Sequence, residues 1–339
     1  MQLEMVKQFL SASKAGSVGR LHLMAWLAAA ILQTAAGLAA AQNFPAKPVR
    51  LVVPNAPGGG TDILARLLAT KLQEIWGQTV IVEYKPGAGT VTGTEYVARS
   101  APDGLTLGMS VSSHMINPSL RTNLPYDTLR DFSGVSLTAI AHTVISATPS
   151  LPVNNLGELI ALAKKQPGVL GYATAGAGSG LHMTGELLKM TTGIDIVHVP
   201  YKGSGPAFPD VIAGRVQLMI DPLFSALPYI KAGKLKAIAI ASAKRAANTP
   251  DIPTVAETLP GFVVQSLNGI VVPAATPRPI VAKISSDLAT ALRHPDVRAR
   301  MAEIGLEPAG STPEEFDALI RSEIERWAKV VKFSGAKAE

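Results

Sequence analysis

Short apolar runs alternate with helical patterns in two separate stretches of the chain. The apolar runs of the first stretch are Val49–Val53, Val80–Tyr84 and Leu105–Val111. Those of the second stretch are Leu170–Thr174, Ile196–Val199, Val216–Ile220 and Ala237–Ala241. The runs do not alternate between apolar and polar residues, which is typical of parallel strands covered by helices on both faces. We therefore predict an α/β protein with two lobes, each a mostly parallel sheet flanked by helices.

Two long β-rich segments, 135–148 and 262–272, join these stretches, and three helical patterns close the chain. A chain that crosses from one lobe to the other and back produces this order. We predict that lobe 1 comprises residues 42–147 and 266–339 and that lobe 2 comprises residues 148–265. The crossovers near Ser146–Thr148 and Val264–Leu267 are expected to act as hinges. This layout places a cleft between the lobes, a preferred position for a small ligand.

The N-terminus resembles a secretory signal peptide. Lys7, Lys14 and Arg20 precede an apolar run over 23–32, and Ala39–Ala41 supplies the small residues that a signal peptidase reads. We predict that residues 1–41 are removed before Gln42 and that the mature protein is periplasmic. The alternative is a retained membrane anchor, because the apolar segment is nearly long enough to span a bilayer.

Composition narrows the possible chemistry. The chain of 339 residues contains no cysteine, which excludes disulfides, thiolate metal sites and a cysteine nucleophile. The formal net charge is +6 and the basic residues are dispersed, so no stripe indicates nucleic-acid binding. No histidine has a second ligand at the spacing of a zinc site. We expect neither a metal nor a cofactor.

A glycine-rich turn lies between the first strand and its helix. Consecutive glycines let a backbone approach a ligand closely, and a helix N-terminus directs unpaired N–H groups and a positive dipole end towards an anion. The glycine spacing fits neither a dinucleotide fingerprint nor a phosphate loop. The alternative is a plain tight turn with a Thr or Asp cap. The candidate ligand-binding residues here are Asn55, Ala56, Pro57, Gly58, Gly59, Thr61 and Asp62.

A second glycine-rich turn, 174–182, occupies the equivalent position in the other lobe. Its candidate residues are Thr174, Gly176, Gly178, Ser179 and His182. One such turn is weak evidence, but two at strand ends facing one cleft describe a pincer for a ligand with an anionic group at each end. Ser179 does not fit a nucleophile elbow, because an alanine stands where that motif has its first glycine. His182 contacts the ligand, acts as a base, or hydrogen-bonds the backbone at the helix start.

Polar residues at the ends of two further strands are also candidate ligand-binding residues. Ser112 and Ser113 follow the third strand and can offer hydroxyl groups to the cleft. Asp221 ends another strand, where it either binds a ligand or caps the next helix.

Motifs along nearly the whole mature chain resemble the Bug-type receptors of tripartite tricarboxylate transporters. The segments that carry the resemblance are Pro54–Asp62, Gly87–Gly89, Pro102–Gly104, Leu124–Asp127 with Asp131–Phe132, Gly178–His182, Pro200–Gly203, Pro250–Thr254 with Glu257, and Pro273 with Thr276–Pro277. One departure lies at Ser266–Gly269, where relatives often carry an aromatic residue before the glycine. The resemblance implies the two-lobed Venus flytrap fold of periplasmic binding proteins, with two crossover strands as the hinge.

The resemblance also implies a function. Such receptors bind di- or tricarboxylates, acidic amino acids or aromatic acids, mainly through backbone N–H groups and bridging waters. We therefore expect a monomer that delivers a small carboxylate to the permease subunits of a transporter. The alternatives are an exported α/β hydrolase-like enzyme, for which the sequence offers no nucleophile with a base and an orienting group, and a ligand-presenting subunit of a signalling kinase.

Overall fold

The computed structural model describes residues 44–337 except 59, 202 and 247. The proposed signal peptide, residues 1–41, and the candidate residue Gly59 therefore lie outside the described residues. The chain from Pro45 onward is one compact unit. Within the described residues, no helix is both long and apolar enough to cross a membrane.

The described residues form a ten-stranded sheet with helices packed against it. The strands are β1 Val49–Val53, β2 Val80–Tyr84, β3 Thr106–Val111, β4 Phe132–Ala147, β5 Gly171–Thr174, β6 Val197–Pro200, β7 Leu218–Pro222, β8 Lys236–Ile240, β9 Gln265–Pro273 and β10 Leu306–Pro308. The helices are α1 Gly60–Trp76, α2 Val91–Ala98, α3 Ser112–Leu120, α4 Leu156–Lys165, α5 Gly180–Thr192, α6 Ser204–Ile212, α7 Leu223–Lys231, α8 Arg278–Arg293, α9 Pro295–Glu303 and α10 Pro313–Ser334.

The sheet has two halves that share the long strand β4. The strand order is β2-β1-β3-β9-β4-β7-β5-β6, and both β8 and β10 pair with β4. Strands β1, β2 and β3 are parallel in one half, and β5, β6 and β7 are parallel in the other. The prediction of an α/β fold flanked by helices is confirmed. The sheet is mixed, because β4 and β9 pair antiparallel with their neighbours.

Strand β4 changes partners along its length. Residues 132–142 pair antiparallel with β9, whereas residues 143–147 pair antiparallel with β7 and β8. The change between His142 and Thr143 marks where one half of the sheet gives way to the other. It lies several residues before the predicted lobe boundary at 147/148, and that boundary stays a prediction.

Helix α3 is the one large element that the sequence patterns did not indicate. It begins directly after β3 and includes Pro118. Its buried side chains include Met115 and Ile116, which have no exposed surface. Helix α10 packs on α3, α5 and β4. Capping fixes its start, because the Thr312 side chain accepts from the amide of Glu315 and the Glu315 carboxylate accepts from the amide of Thr312.

Candidate carboxylate-binding site

Asp62 organises the first glycine-rich turn. Its carboxylate accepts hydrogen bonds from the amide of Gly58 at 2.8 Å, the Tyr84 hydroxyl at 2.5 Å and Arg66 Nε at 2.7 Å. Burial by itself raises the pKa of Asp62, but these donors outweigh it, so the pKa lies below its ordinary value. The carboxylate is thus occupied within the protein, and its role is to hold the turn in shape.

The remainder of the first turn is open to solvent. Ala56, Pro57 and Gly58 are exposed. Gly58 has φ +95°, and no atom lies within 4 Å of a Cβ built on it. Asn55 is half-buried, and its Oδ1 atom is buried without a hydrogen-bond partner among the described residues. An exposed backbone in a glycine-only conformation suits close approach of a ligand.

Ser179 and His182 hold the second turn together from within. Ser179 caps α5 by accepting from the amide of His182 at 3.2 Å, and it donates to the carbonyl of Gly176 at 2.7 Å. The amide of Gly178 donates to His182 Nδ1 at 3.1 Å. Gly176 and Gly178 have φ values of +145° and +74°, which favour glycine.

The buried His182 belongs to a pair of stacked imidazoles whose other member, His198, is half-buried. Its ring lies 3.8 Å from that of His198 at an interplanar angle of 11°, and His198 Nε2 lies 2.7 Å from Thr174 Oγ1. Burial lowers the pKa of both residues, that of His198 to about 3, with the neighbouring imidazole adding to the effect there. Both rings are therefore neutral, and His182 Nδ1 is an acceptor. This geometry favours the backbone-bonding interpretation of His182 over a role as a base.

Ser112, the first residue of α3, lies between β9 and the start of α5. Its Oγ accepts from the amide of Leu267 at 3.2 Å. A Cβ built on Gly180, the first residue of α5, would lie 3.1 Å from Ser112 Cβ. Ser112 thus touches both β9 and the start of the second turn's helix, while Ser113 is half-buried beside it.

Asp221 is a fully buried carboxylate at the end of β7. It has no exposed surface and accepts hydrogen bonds from Ser204 in α6 and Ser225 in α7. Burial raises its pKa to about 7, although the two serine hydrogen bonds act in the opposite direction. Asp221 is not the N-cap of α7, since Pro222 holds that position.

A closed series of contacts, which we name the contact ring, joins these features. On one side, Thr61 Oγ1 donates to Asn268 Oδ1 at 3.3 Å, and the adjacent Leu267 connects through Ser112 to Gly180. This side links the first turn to the second by way of β9 and α3.

The other side of the contact ring runs through α7 and α6. A Cβ built on Gly60 would lie 2.3 Å from Phe224 Cζ, so the start of α1 abuts α7 directly. The neighbouring Ser225 bonds Asp221, which in turn bonds Ser204. The amide of Gly203 then donates to the carbonyl of Ala175 in the second turn at 3.1 Å, which closes the ring.

The contact ring gathers the N-termini of five of the described helices: α1, α3, α5, α6 and α7. Helices α3, α6 and α7 have no side-chain cap at that end. The residues that form the ring include no Lys or Arg. Backbone N–H groups and helix dipoles supply positive potential at these ring residues, an arrangement that suits a carboxylate. In the part of the chain described, no three His, Asp or Glu side chains lie close enough together to hold a metal ion.

The structure thus brings Thr61, Ser112 and Asp221 into the contact ring together with the second turn. It also adds Phe224 and Asn268, which were not among the predicted site residues. Phe224 carried no usable sequence signal, because its contact with Gly60 depends on the fold. Asn268 was visible only as the departure before Gly269.

His114, on the buried side of α3, provides a pH-dependent prediction of stability. It is 2% exposed and packs against Phe132 with ring centroids 4.9 Å apart. Burial lowers its pKa from 6.5 to about 4. Between these values the unfolded chain binds a proton that the folded chain does not, so stability falls as the pH falls. His114→Gln should reduce the loss of unfolding free energy between pH 8 and pH 5 by about 2 kcal/mol, measured by urea denaturation. An unchanged difference between the two pH values would contradict the prediction.

Comparison with known proteins identifies relatives along most of the chain. A family model described as the tripartite tricarboxylate transporter family receptor matches residues 64–335. Protein BugT of Bordetella pertussis (strain Tohama I) is 39% identical over 308 residues, which covers 89% of this chain and 94% of BugT.

Solved structures agree with this relationship. Rpa4515 of R. palustris with adipate has a TM-score of 0.80 and 36% identity, covering 87% of this chain and 99% of that one. MatC from Rhodopseudomonas palustris with bound malate has a TM-score of 0.76 and 35% identity, covering 85% and 100%. The periplasmic binding protein BugD has a TM-score of 0.77 and 35% identity, covering 87% and 100%. The predicted fold of periplasmic binding proteins is confirmed.

Proposed function

We propose that this chain, which belongs to the tripartite tricarboxylate transporter receptor family, captures a small carboxylate between two lobes and delivers it to a membrane permease. The family consists of substrate-binding receptors and not of enzymes. The proposal concerns the ligand class, the residues that hold it and the partner that receives it.

The observation that carries the proposal is the contact ring. Five helix N-termini meet there without a Lys or Arg among the ring residues. Of the first-turn amides of α5, that of His182 is capped by Ser179, and those of Gly180 and Leu181 have no acceptor among the described residues. Backbone donors of this kind recognise a carboxylate whatever molecule carries it. The shape between the two turns then selects the ligand.

Two turns, one at each side of the contact ring, support a ligand with two anionic ends. The related structures of Rpa4515 with adipate and MatC with malate hold dicarboxylates. We therefore place a dicarboxylate first among the candidates, with its ends at the turns containing Gly58 and Gly178.

A carboxylate panel tests the ligand class. The chain beginning at Gln42 is mixed with adipate, malate, citrate, aspartate and benzoate, and thermal unfolding is recorded. A true ligand at a hundred times its Kd stabilises the folded state by about 2.7 kcal/mol, which raises Tm by about 5 °C. The matched control is dimethyl adipate, which lacks both charges and should give no shift. A panel without a single shift, or chemical conversion of a bound acid, would contradict the proposal.

Lobe movement gives a second test. We propose that lobe 1, residues 42–147 and 266–339, closes against lobe 2, residues 148–265, by bending near Ser146–Thr148 and Val264–Leu267. Adding the acid that gives the largest thermal shift should reduce the radius of gyration in solution scattering. An identical profile with and without saturating ligand argues against a closing pair of lobes.

Export to the periplasm belongs to the same proposal. The basic segment, the apolar run and Ala39–Ala41 indicate cleavage before Gln42. N-terminal sequencing of the protein isolated from the periplasm should begin at Gln42 or within two residues of it. A full-length chain in the membrane fraction would show that the apolar segment is an anchor.

A further inference from the structure

Asp221 has an environment that is unusual for a carboxylate. It has no exposed surface, and the hydrogen bonds that it receives among the described residues come from the hydroxyls of Ser204 and Ser225. No Lys or Arg of the described chain is paired with it. A buried carboxylate without a cation is costly when ionised, so its charge responds readily to a neighbouring charge.

Titratable groups on the elements packed against β7 are engaged elsewhere. The packed elements are β4, β5, α5, α6 and α7. Their groups and partners are His142 with Glu307, Tyr172 with Glu186, His182 with the Gly178 amide, Lys189 with Glu186, Asp210 with Arg215, Tyr229 stacked on Phe208, and the exposed Lys231. None of them contributes to the shifted pKa of Asp221, whose causes are burial and the two serines.

The two serines connect Asp221 to the proposed ligand site. Ser204 follows Gly203, whose amide bonds the second turn at Ala175. Ser225 follows Phe224, which lies against Gly60 at the first turn's helix. Both serines are half-buried, whereas Asp221 has no exposed surface, so the serines are the accessible members of this hydrogen-bonded group in the contact ring.

We propose that Asp221 takes up one proton when an anionic ligand enters the contact ring, and that Ser204 and Ser225 transmit this change to the ligand. When Asp221 is ionised, both hydroxyls donate to it and present only oxygen lone pairs outwards. When a proton from solvent binds Asp221, the carboxylic acid donates to one serine oxygen. That serine keeps its own hydrogen and turns it towards the ligand carboxylate. The inference rests on the proposed function, since it requires an anion at the ring.

Proton linkage determines the direction in which ligand affinity changes with pH. Proton uptake on binding means that affinity decreases as the pH rises. Asp221 in the free protein titrates near pH 7. Affinity for a dicarboxylate should therefore fall by close to tenfold per pH unit between pH 7.5 and 9. The carboxylates of adipate and malate are already ionised in this range, so ligand titration does not produce the fall.

Calorimetric titration with adipate and malate tests the inference. For the chain beginning at Gln42, binding at pH 7.5–8 in buffers of different ionisation enthalpy should report uptake of about one proton per ligand. Asp221→Asn retains the shape and stays neutral, so its proton uptake should vanish and its affinity should become independent of pH. The matched control is Asp210→Asn on α6, an aspartate bonded to Tyr201 and Arg215, which should keep the wild-type uptake.

Two serine variants test the inference independently, in case Asp221→Asn does not fold. Ser204→Ala and Ser225→Ala each remove a donor that favours the ionised form, so each should move the fall in affinity to higher pH. Binding without proton uptake overturns the inference and leaves the proposed function standing. Proton uptake that persists in Asp221→Asn assigns the proton to another group and also overturns it. Failure of every acid in the carboxylate panel would overturn both.

Discussion

Replacing Gly178 with valine is expected to lower the affinity for the bound dicarboxylate by at least 100-fold while the protein stays folded. Gly178 has φ +74°, where a residue with a side chain costs about 1–2 kcal/mol and a β-branched residue costs more. The turn must therefore change conformation, which displaces the Gly178 amide from His182 and the first-turn amides of α5 from the ligand. Calorimetric titration with the best acid of the panel measures the loss, and circular dichroism measures folding.

Gly193→Val is the matched control for this substitution. Gly193 ends the same helix with a similar φ of +69°, and no atom lies within 4 Å of a Cβ built there. The Gly193→Val variant therefore carries similar backbone strain away from the contact ring. Its affinity for the dicarboxylate should stay within about threefold of wild type. Ser179→Ala removes two side-chain hydrogen bonds within the turn, worth about 1 kcal/mol each, so affinity should fall by at most about 30-fold, less than for Gly178→Val. Normal binding by Gly178→Val would refute the backbone pincer.

The parallel strands could be predicted because their signals are local. Val49–Val53 is a short apolar run that precedes a glycine-rich turn, and Val80–Tyr84 repeats the pattern after one helix. Both strands occur at the predicted residues and pair in parallel. Helix α3 was missed because Ser112, Ser113 and His114 hide its apolar period and Pro118 is a usual sign of a helix end. Packing against α10 stabilises α3 despite that sequence.

The roles of single side chains at the site were less predictable, since they depend on contacts between distant residues. Asp62 was one of the candidate ligand-binding residues, with capping of a plain turn as the alternative. In the structure Tyr84, on β2, supplies one of the hydrogen bonds that occupy its carboxylate. Asp221 was expected either to bind a ligand or to cap a helix. The sequence carried no sign that its burial would be complete or that Ser204 and Ser225 would be its donors. Burial and long-range pairing follow from topology, which local patterns do not encode.

Replacing Gly60 with valine is expected to cause the second large loss of ligand affinity, because the contact of Gly60 with Phe224 leaves no room for a side chain. A Cβ on Gly60 would lie 2.3 Å from Phe224 Cζ and 2.7 Å from Phe224 Cε1. Gly60→Val therefore prevents α1 and α7 from meeting as they do here. Under the proposed lobe closure, this contact joins the lobes in the ligand-bound form, so we expect affinity to fall by more than tenfold. Calorimetric titration with the same acid measures the change.

Removing the phenyl ring of Phe224 tests whether the steric clash causes the loss of affinity in Gly60→Val. In Gly60→Val combined with Phe224→Ala, the added side chain has space, so affinity should recover to that of Phe224→Ala alone. Gly157→Val, in the first turn of α4 and outside the contact ring, is the matched control, because Gly157 is exposed and the nearest atom to a Cβ built there, Asn155 Oδ1, lies 3.3 Å away. It should leave the affinity within about threefold of wild type. If Gly60→Val binds normally, α1 and α7 need not meet when ligand is held. If the double variant binds no better than Gly60→Val alone, the loss arises from the conformation of the first turn and not from the ring of Phe224.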